Sequence, residues 1–296
     1  MLSVLNVARV LMTFTVSDNL DELATNVKDT GEKLQEMRLN DREKDIQDWL
    51  SAPDPSMNYI NALEKRHQGT GAWFINGHAF ADWNERSNSF LWLHGIPGCG
   101  KTVLSSTIVE HLSNITTPDR ILLYFYFDFT DKNKQTLEDM LRSLVSQLYQ
   151  GCPDAREPLD QLRASSQYLS RDSLRDTLLA MLDKVNNVNI VLDALDESTT
   201  RSDLLAWIRS VLEADPIACR IAVTSRREED IDSAFQRWIG PGNIVSIQRD
   251  VVDDDIKAYV GYIVHSSEQL VRWRNMPDVQ AEIETTLVKN AHGMWV

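Results

Sequence analysis

Ser89-Phe90-Leu91-Trp92-Leu93-His94-Gly95-Ile96-Pro97-Gly98-Cys99-Gly100-Lys101-Thr102-Val103-Leu104 decides how this chain folds. Phe90 to His94 is a short apolar run of strand character. Gly95 to Thr102 then fills the spacing G-x-x-x-x-G-K-[ST] in full. From Val103 onward the apolar spacing of Leu104, Ile108 and Val109 predicts a helix. Chance alone produces the glycine–lysine pattern in about one chain of this length in a hundred. Strand, loop and helix in this order are the setting in which it cradles phosphate. Gly95, Gly98 and Gly100 are expected to take backbone conformations that a Cβ forbids and to turn N–H groups toward an anion. The helix opening near Lys101 adds its positive end. Lys101 is expected to meet the β- and γ-phosphates, and Thr102 to offer its hydroxyl to Mg²⁺. Pro97 and Cys99 complete the expected nucleotide loop. With a thiol inside it, a reagent attached at Cys99 is expected to block nucleotide access.

Further runs of strand character follow at Ile121 to Phe129, Val188 to Leu192, Arg220 to Thr224 and Ile244 to Ile247. Helical spacing fills the gaps, over Val103 to Leu112, Leu137 to Tyr149, Ser173 to Val185, Asp203 to Leu212 and Glu229 to Trp238. Strands alternating with helices predict an α/β fold with a parallel sheet covered on both faces. An acidic helix, Asp253 to His265, is expected after the sheet.

The third run ends Leu192-Asp193-Ala194-Leu195-Asp196-Glu197. An acid at the end of a buried strand is costly unless it is solvated, paired or aimed at a metal. Asp193 stands where a carboxylate would hold Mg²⁺, mostly through water. Asp196 and Glu197 follow just beyond the strand and could orient or deprotonate an attacking water. The competing reading makes either one a cap for a helix opening near Ser198. The fourth run ends Thr224-Ser225-Arg226-Arg227, and Arg226 is the expected γ-phosphate sensor, because a guanidinium offers forked hydrogen bonds to phosphate oxygens. Its alternative is a surface pairing with Glu228, Glu229 or Asp230. Trp73 and Phe74 are read as core, with a place beside the base as the other option.

Upstream, the stretch Met1 to Val16 is too short to span a bilayer, carries Arg9 and lacks the marks of a secretion signal, so a short amphipathic helix is expected. Leu20, Leu23, Val27, Leu34 and Met37 predict a second helix. A third begins near Asp41, buries Ile46, Trp49 and Leu50, and stops before Pro53. The breaker cluster Ala52-Pro53-Asp54-Pro55-Ser56 marks a joint. The expected organisation is thus an N-terminal helical segment (1–52), a linker with helices (53–88), the nucleotide-binding core (89–250) and the start of a helical lid (251–296).

Among 296 residues, 43% are hydrophobic and 25% charged, which excludes a wholly disordered chain. Lys and Arg number 30 against 44 Asp and Glu, a formal charge of −14. Phosphate backbones and anionic lipid repel such a chain, so no nucleic-acid partner and no membrane span are expected. Three scattered cysteines suit a reducing, cytoplasmic setting rather than a disulfide framework or zinc site.

Taken together, Trp92 to Thr102, Leu192 to Glu197 and Thr224-Ser225-Arg226 resemble the NACHT (STAND-class) signalling P-loop NTPases, specifically the fungal kind related to the nephrocystin-like N-terminal NTPase domain. Asn58-Tyr59, Arg66-His67 and Gly69-Thr70-Gly71-Ala72-Trp73-Phe74 are similar to the segment before the loop in those proteins. The resemblance implies a P-loop NTPase sheet of order 5-1-4-3-2, with the sensing strand between the loop strand and the Mg²⁺-carboxylate strand. It implies an NLR-like switch that binds ATP or GTP with Mg²⁺, hydrolyses it slowly and self-associates, serving fungal non-self recognition or innate-immunity-like signalling. It also implies effector and repeat modules in full-length relatives, and a chain cut before any winged helix. Arg227 stands where the family has proline. A small-molecule or nucleotide kinase is the alternative enzyme, and a scaffold with a structural nucleotide the alternative non-enzyme. The kinase would need an arginine-rich lid, which this sequence does not display.

Overall fold

The computed structural model describes residues 41–115, 120–165, 168–214, 217–247, 249–291 and 293–294. The helices expected within 1–37 lie outside them. The chain divides after Leu50. In the first unit residues 41–50 form helix α1.

The second unit opens with α2 (Ser56–Glu64), α3 (Ala72–Ile75) and α4 (His78–Glu85). The alternating section runs β1 (Phe90–His94), α5 (Lys101–Asn114), β2 (Ile121–Tyr126), α6 (Leu137–Gly151), α7 (Glu157–Ala164) and α8 (Arg171–Leu182). It continues with β3 (Val188–Asp193), α9 (Arg201–Glu213), β4 (Cys219–Ser225), α10 (Glu229–Trp238) and β5 (Ile244–Ser246), and α11 (Arg249–Ser266) and α12 (Pro277–Ala291) follow. Local chemistry sets several of these boundaries. Thr136 caps α6 through a reciprocal bond with Asp139, and Ser170 caps α8 in the same way with Ser173.

The five strands form one parallel sheet of order β2-β3-β4-β1-β5, which read from its other edge is the expected 5-1-4-3-2. The fold is that of a P-loop NTPase. Every residue of β1, β3 and β4 is buried, the reason the middles of these strands read as unbroken apolar stretches rather than alternating ones. On one face Leu91, Leu93, Val191 and Ala222 pack against Leu104, Ile108 and Leu112 of α5 and against Phe80 and Trp83 of α4. On β1, Phe90 and Trp92 stack on Phe235 of α10. The Trp92 indole N–H, fully buried, donates to Ser225 Oγ at 2.8 Å.

Strand β2 is shorter than the expected Ile121 to Phe129. Phe127 N–H still reaches Asp193 O at 3.1 Å, but β3 ends there and offers nothing further to pair with. Asp128 folds the chain instead, accepting from Thr130 N–H at 2.8 Å. Because β4 lies between β1 and β3, the carboxyl ends of all three strands meet at one edge of the sheet. The loop after β1, Asp193 and Arg226 are thereby brought together. No helix among the described residues is long and apolar enough to cross a membrane.

Candidate nucleotide-binding site

The loop from Gly95 to Thr102 joins β1 to α5 as expected, but its glycines serve two different ends. Gly98 (φ 75°) and Gly100 (φ 89°) occupy the left-handed region, where a side chain is strained. Gly95 does not; its requirement is steric. A Cβ there would stand 2.5 Å from Cys99 Sγ and 3.2 Å from Ile247 Cβ. Gly95→Ala is accordingly expected to destabilise the fold by about 1–3 kcal/mol. Adding Cys99→Ala should restore at least half of that loss in urea unfolding, because it removes the nearer clash.

The first intrahelical bond of α5 runs from Leu104 N–H to Gly100 O at 2.9 Å, so the amides of Lys101 and Thr102 lie ahead of it as open donors. Lys101 Nζ donates back to the loop, to Gly95 O at 3.0 Å and Ile96 O at 2.9 Å. The ammonium thus sits at the loop's mouth and would exchange these carbonyls for phosphate oxygens.

Cys99 faces the other way. Its side chain is buried against Gly95, and burial raises the thiol pKa despite the nearby Lys101 charge. Burial leaves little of the Cys99 thiol for a reagent to reach, so the labelling on which the expected block depends should be slow. Burial pushes the Cys219 thiol up to about 12, whereas Cys152 is half-exposed. Titration of the native chain with a thiol reagent should show fast reaction only at Cys152, unchanged by nucleotide. A second fast thiol that ATP protects would contradict this placement.

Asp193 ends β3 almost fully buried. Thr102 Oγ1 donates to its Oδ2 at 2.8 Å and Thr224 Oγ1 to its Oδ1 at 2.6 Å, while Thr224 Oγ1 accepts from Ala194 N–H at 3.0 Å. Burial raises the Asp193 pKa, and the hydroxyls of Thr224, Thr102 and Ser105 and the Lys101 charge work against it. The pairing of Thr102 with Asp193 joins the start of α5 to the end of β3 across β4. Thr224 stood in the sequence only as a neighbour of Arg226, since one hydroxyl in a buried strand does not announce a partner for Asp193. The neighbouring Tyr126 is nearly inaccessible and its hydroxyl has no hydrogen bond among the described residues.

Beyond Asp193 the chain passes through Ala194 in the left-handed region (φ 56°), a strained position for a residue with a Cβ. That turn aims Asp196 and Glu197 in different directions. Asp196 accepts from Arg226 N–H at 2.9 Å and pairs with Arg226 Nε at 3.2 Å. The surface partners considered for Arg226, Glu228 to Asp230, are not used; Arg227 pairs with Asp232 instead. Glu197 Oε2 accepts Phe129 N–H at 3.0 Å. Burial raises the Glu197 pKa, the Phe129 amide lowers it, and the Asp196, Asp193 and Asp128 charges raise it further. Neither acid caps a helix: both lie in a short 3₁₀ turn, and α9 opens only at Arg201.

A last wall comes from the segment before β1 and from α11. Asp255 accepts Gly71 N–H at 3.0 Å and the Trp73 indole N–H, and burial raises its pKa. Thr70, Trp73, Cys99, Gly100 and Asp255 border a cavity of only about 20 Å³, room for one water and not for a purine. Phe74 is core, as expected, and Trp73 lines this cavity. Asp255 was illegible in sequence because Asp253-Asp254-Asp255 reads as a solvated helix face.

The donor set suits a triphosphate with Mg²⁺. Left-handed glycines, open amides and an ammonium meet at the start of a full-length helix, where they could cradle phosphate. The cation would find oxygen donors at Thr102 and Asp193. Among the described residues no group of three or more His, Cys, Asp or Glu could hold a metal by itself. Mg²⁺ commonly takes one or two carboxylates and completes its shell with water and substrate phosphate, a demand that Thr102 and Asp193 would suit.

Comparison with known proteins gives one matching family and several similar proteins. Residues 69–226 match the family described as nephrocystin 3, N-terminal. Vegetative incompatibility protein HET-E-1 from Podospora anserina is 27% identical over 177 residues, 55% of this chain and 13% of that protein. Pachytene checkpoint protein 2 homolog from Danio rerio is 27% identical over 212 residues, 65% of this chain and 46% of that protein. The chain therefore matches less than half the length of either relative. Among solved structures, Drosophila ORC bound to DNA aligns with a TM-score of 0.44 at 12% identity, over 80% of this chain and 61% of that one.

Proposed function

The chain belongs to the nephrocystin 3 N-terminal family, and from that premise we propose that it is a nucleotide-driven switch of the NACHT class, binding ATP or GTP with Mg²⁺ and hydrolysing it slowly. The observation that carries this reading is the meeting of Thr102, Asp193 and Thr224 beside the phosphate loop, with Glu197 just beyond it. In this reading the amides of Gly98 to Thr102 and the Lys101 ammonium hold the β- and γ-phosphates. Thr102 and Asp193 would hold Mg²⁺, which would supply neutralisation of phosphate charge. Glu197 takes a proton from the attacking water; its raised pKa makes it a better base than an ordinary surface glutamate. Asp196 holds Arg226 in reserve, and Arg226 reaches the γ-phosphate by trading that partner.

In this reading the base would lie beside the Gly71–Asp255 contact, and the proposed switch couples opening of that contact to self-association. The name of the Podospora relative, a vegetative incompatibility protein, supports a role in fungal non-self recognition. A cytoplasmic setting, an NLR-like logic and the effector and repeat modules of longer relatives as partners belong to the same proposal. Titration with MgATP and MgGTP, paired with a phosphate-release assay, tests the reading. Saturable binding with slow release supports it; a phosphorylated acceptor in place of free phosphate would move the chain to the kinases.

A further inference from the structure

The carboxylate of Glu197 is held by a turn that is itself held from α2. Phe129, whose amide binds Glu197 Oε2, follows directly on Asp128. The Asp128 carboxylate shapes that turn by accepting Thr130 N–H at 2.8 Å and Thr130 Oγ1 at 2.5 Å through one oxygen. Its other oxygen accepts Asn58 Nδ2 of α2 at 3.2 Å. Asn58 Oδ1 in turn accepts Lys134 Nζ at 2.6 Å.

Lys134 is the informative member. Only 8% of it is exposed, and its nearest carboxylate oxygen, on Asp131, lies 3.8 Å away. Burying an ammonium is costly, and an apolar side chain would fill the same space at less expense. What the lysine adds is direction. An ammonium only donates, so it fixes the oxygen end of the Asn58 amide toward itself and forces the NH₂ end toward Asp128. The reverse orientation would set an amide oxygen against a carboxylate and an NH₂ against an ammonium.

We propose that Asn58 and Lys134 are positioning residues for hydrolysis: through the Asp128 turn they fix where Glu197 stands. Placement of α2 then sets the rate of turnover without touching the phosphate loop, which gives the segment before the sheet a direct hold on the chemistry. The proposal rests on Glu197 being the base.

The test uses the full chain with MgATP and MgGTP. Asn58→Ala should lower kcat about tenfold and leave the nucleotide Kd within about twofold. Lys134→Met, close in size, should do the same. Asn58→Asp keeps the acceptor for Lys134 but loses the donor to Asp128, and should not rescue. Amide exchange at Phe129 and Thr130 should accelerate in Asn58→Ala, while α5 stays protected. In a Glu197→Gln background, Asn58→Ala should cost nothing further, which a general loss of folding would not reproduce. Wild-type kcat in Asn58→Ala beside a slow Glu197→Gln chain overturns the positioning role alone, as does an additive loss in the double variant. Wild-type turnover in Glu197→Gln overturns the base assignment and this proposal with it.

Discussion

Replacing Lys101 by alanine is expected to weaken binding of a Mg²⁺-nucleoside triphosphate by about a hundredfold or more. The ammonium is held within 3.0 Å of two loop carbonyls at the start of α5, where the phosphates are proposed to lie. Losing one partner of such a charge-assisted contact costs about 2–5 kcal/mol, since the facing charge is left without compensation. The fold should survive, because Lys101 fills no core position and only two loop carbonyls lose a donor. Calorimetric titration beside a thermal melt checks both halves. Wild-type affinity in a folded Lys101→Ala chain would remove the phosphate cradle from the account altogether.

Glu197→Gln should separate binding from turnover. Glutamine keeps an oxygen for Phe129 N–H and a nearly identical shape, so nucleotide affinity should stay within about threefold. It cannot take a proton, and loss of a positioned base costs about 10²–10⁴ in rate. The pH profile carries a second signature. With its pKa raised by burial and by three neighbouring carboxylates, Glu197 remains protonated to higher pH than an ordinary glutamate. Protonation removes the base, so turnover should fall as pH drops through that raised pKa, and Glu197→Gln should lose this acid limb. Phosphate release as fast in the variant as in the parent would exclude Glu197 as the base.

The strands of this sheet were legible because central strands covered on both faces carry apolar runs, and Ile190–Leu192 within β3 and Ile221–Val223 within β4 do so. Helix α10 was read to both ends, since its apolar residues recur at helical spacing between Glu229 and Trp238. Before the sheet, α3 is too short to show a period, so that region read only as linker and helices. The error at β2 has a long-range cause: the run Phe127-Asp128-Phe129 has strand character, but its partner ends at Asp193.

Sequence alone marked the loop proposed to hold phosphate, because its signature lies within eight consecutive residues, Gly95 to Thr102, whose glycines and lysine offer their own backbone and charge. It also determined that Asp193 ends a buried strand. Which hydroxyls that carboxylate meets, which acid takes Arg226, which way Cys99 points and how Asn58 reaches Asp128 were decided only by tertiary structure. Those contacts join residues from 30 to 91 positions apart, or, for Cys99, depend on what packs against the loop from β5's side. Short-range periodicity records which face of an element is buried. It holds no record of which other element the sheet order sets opposite it.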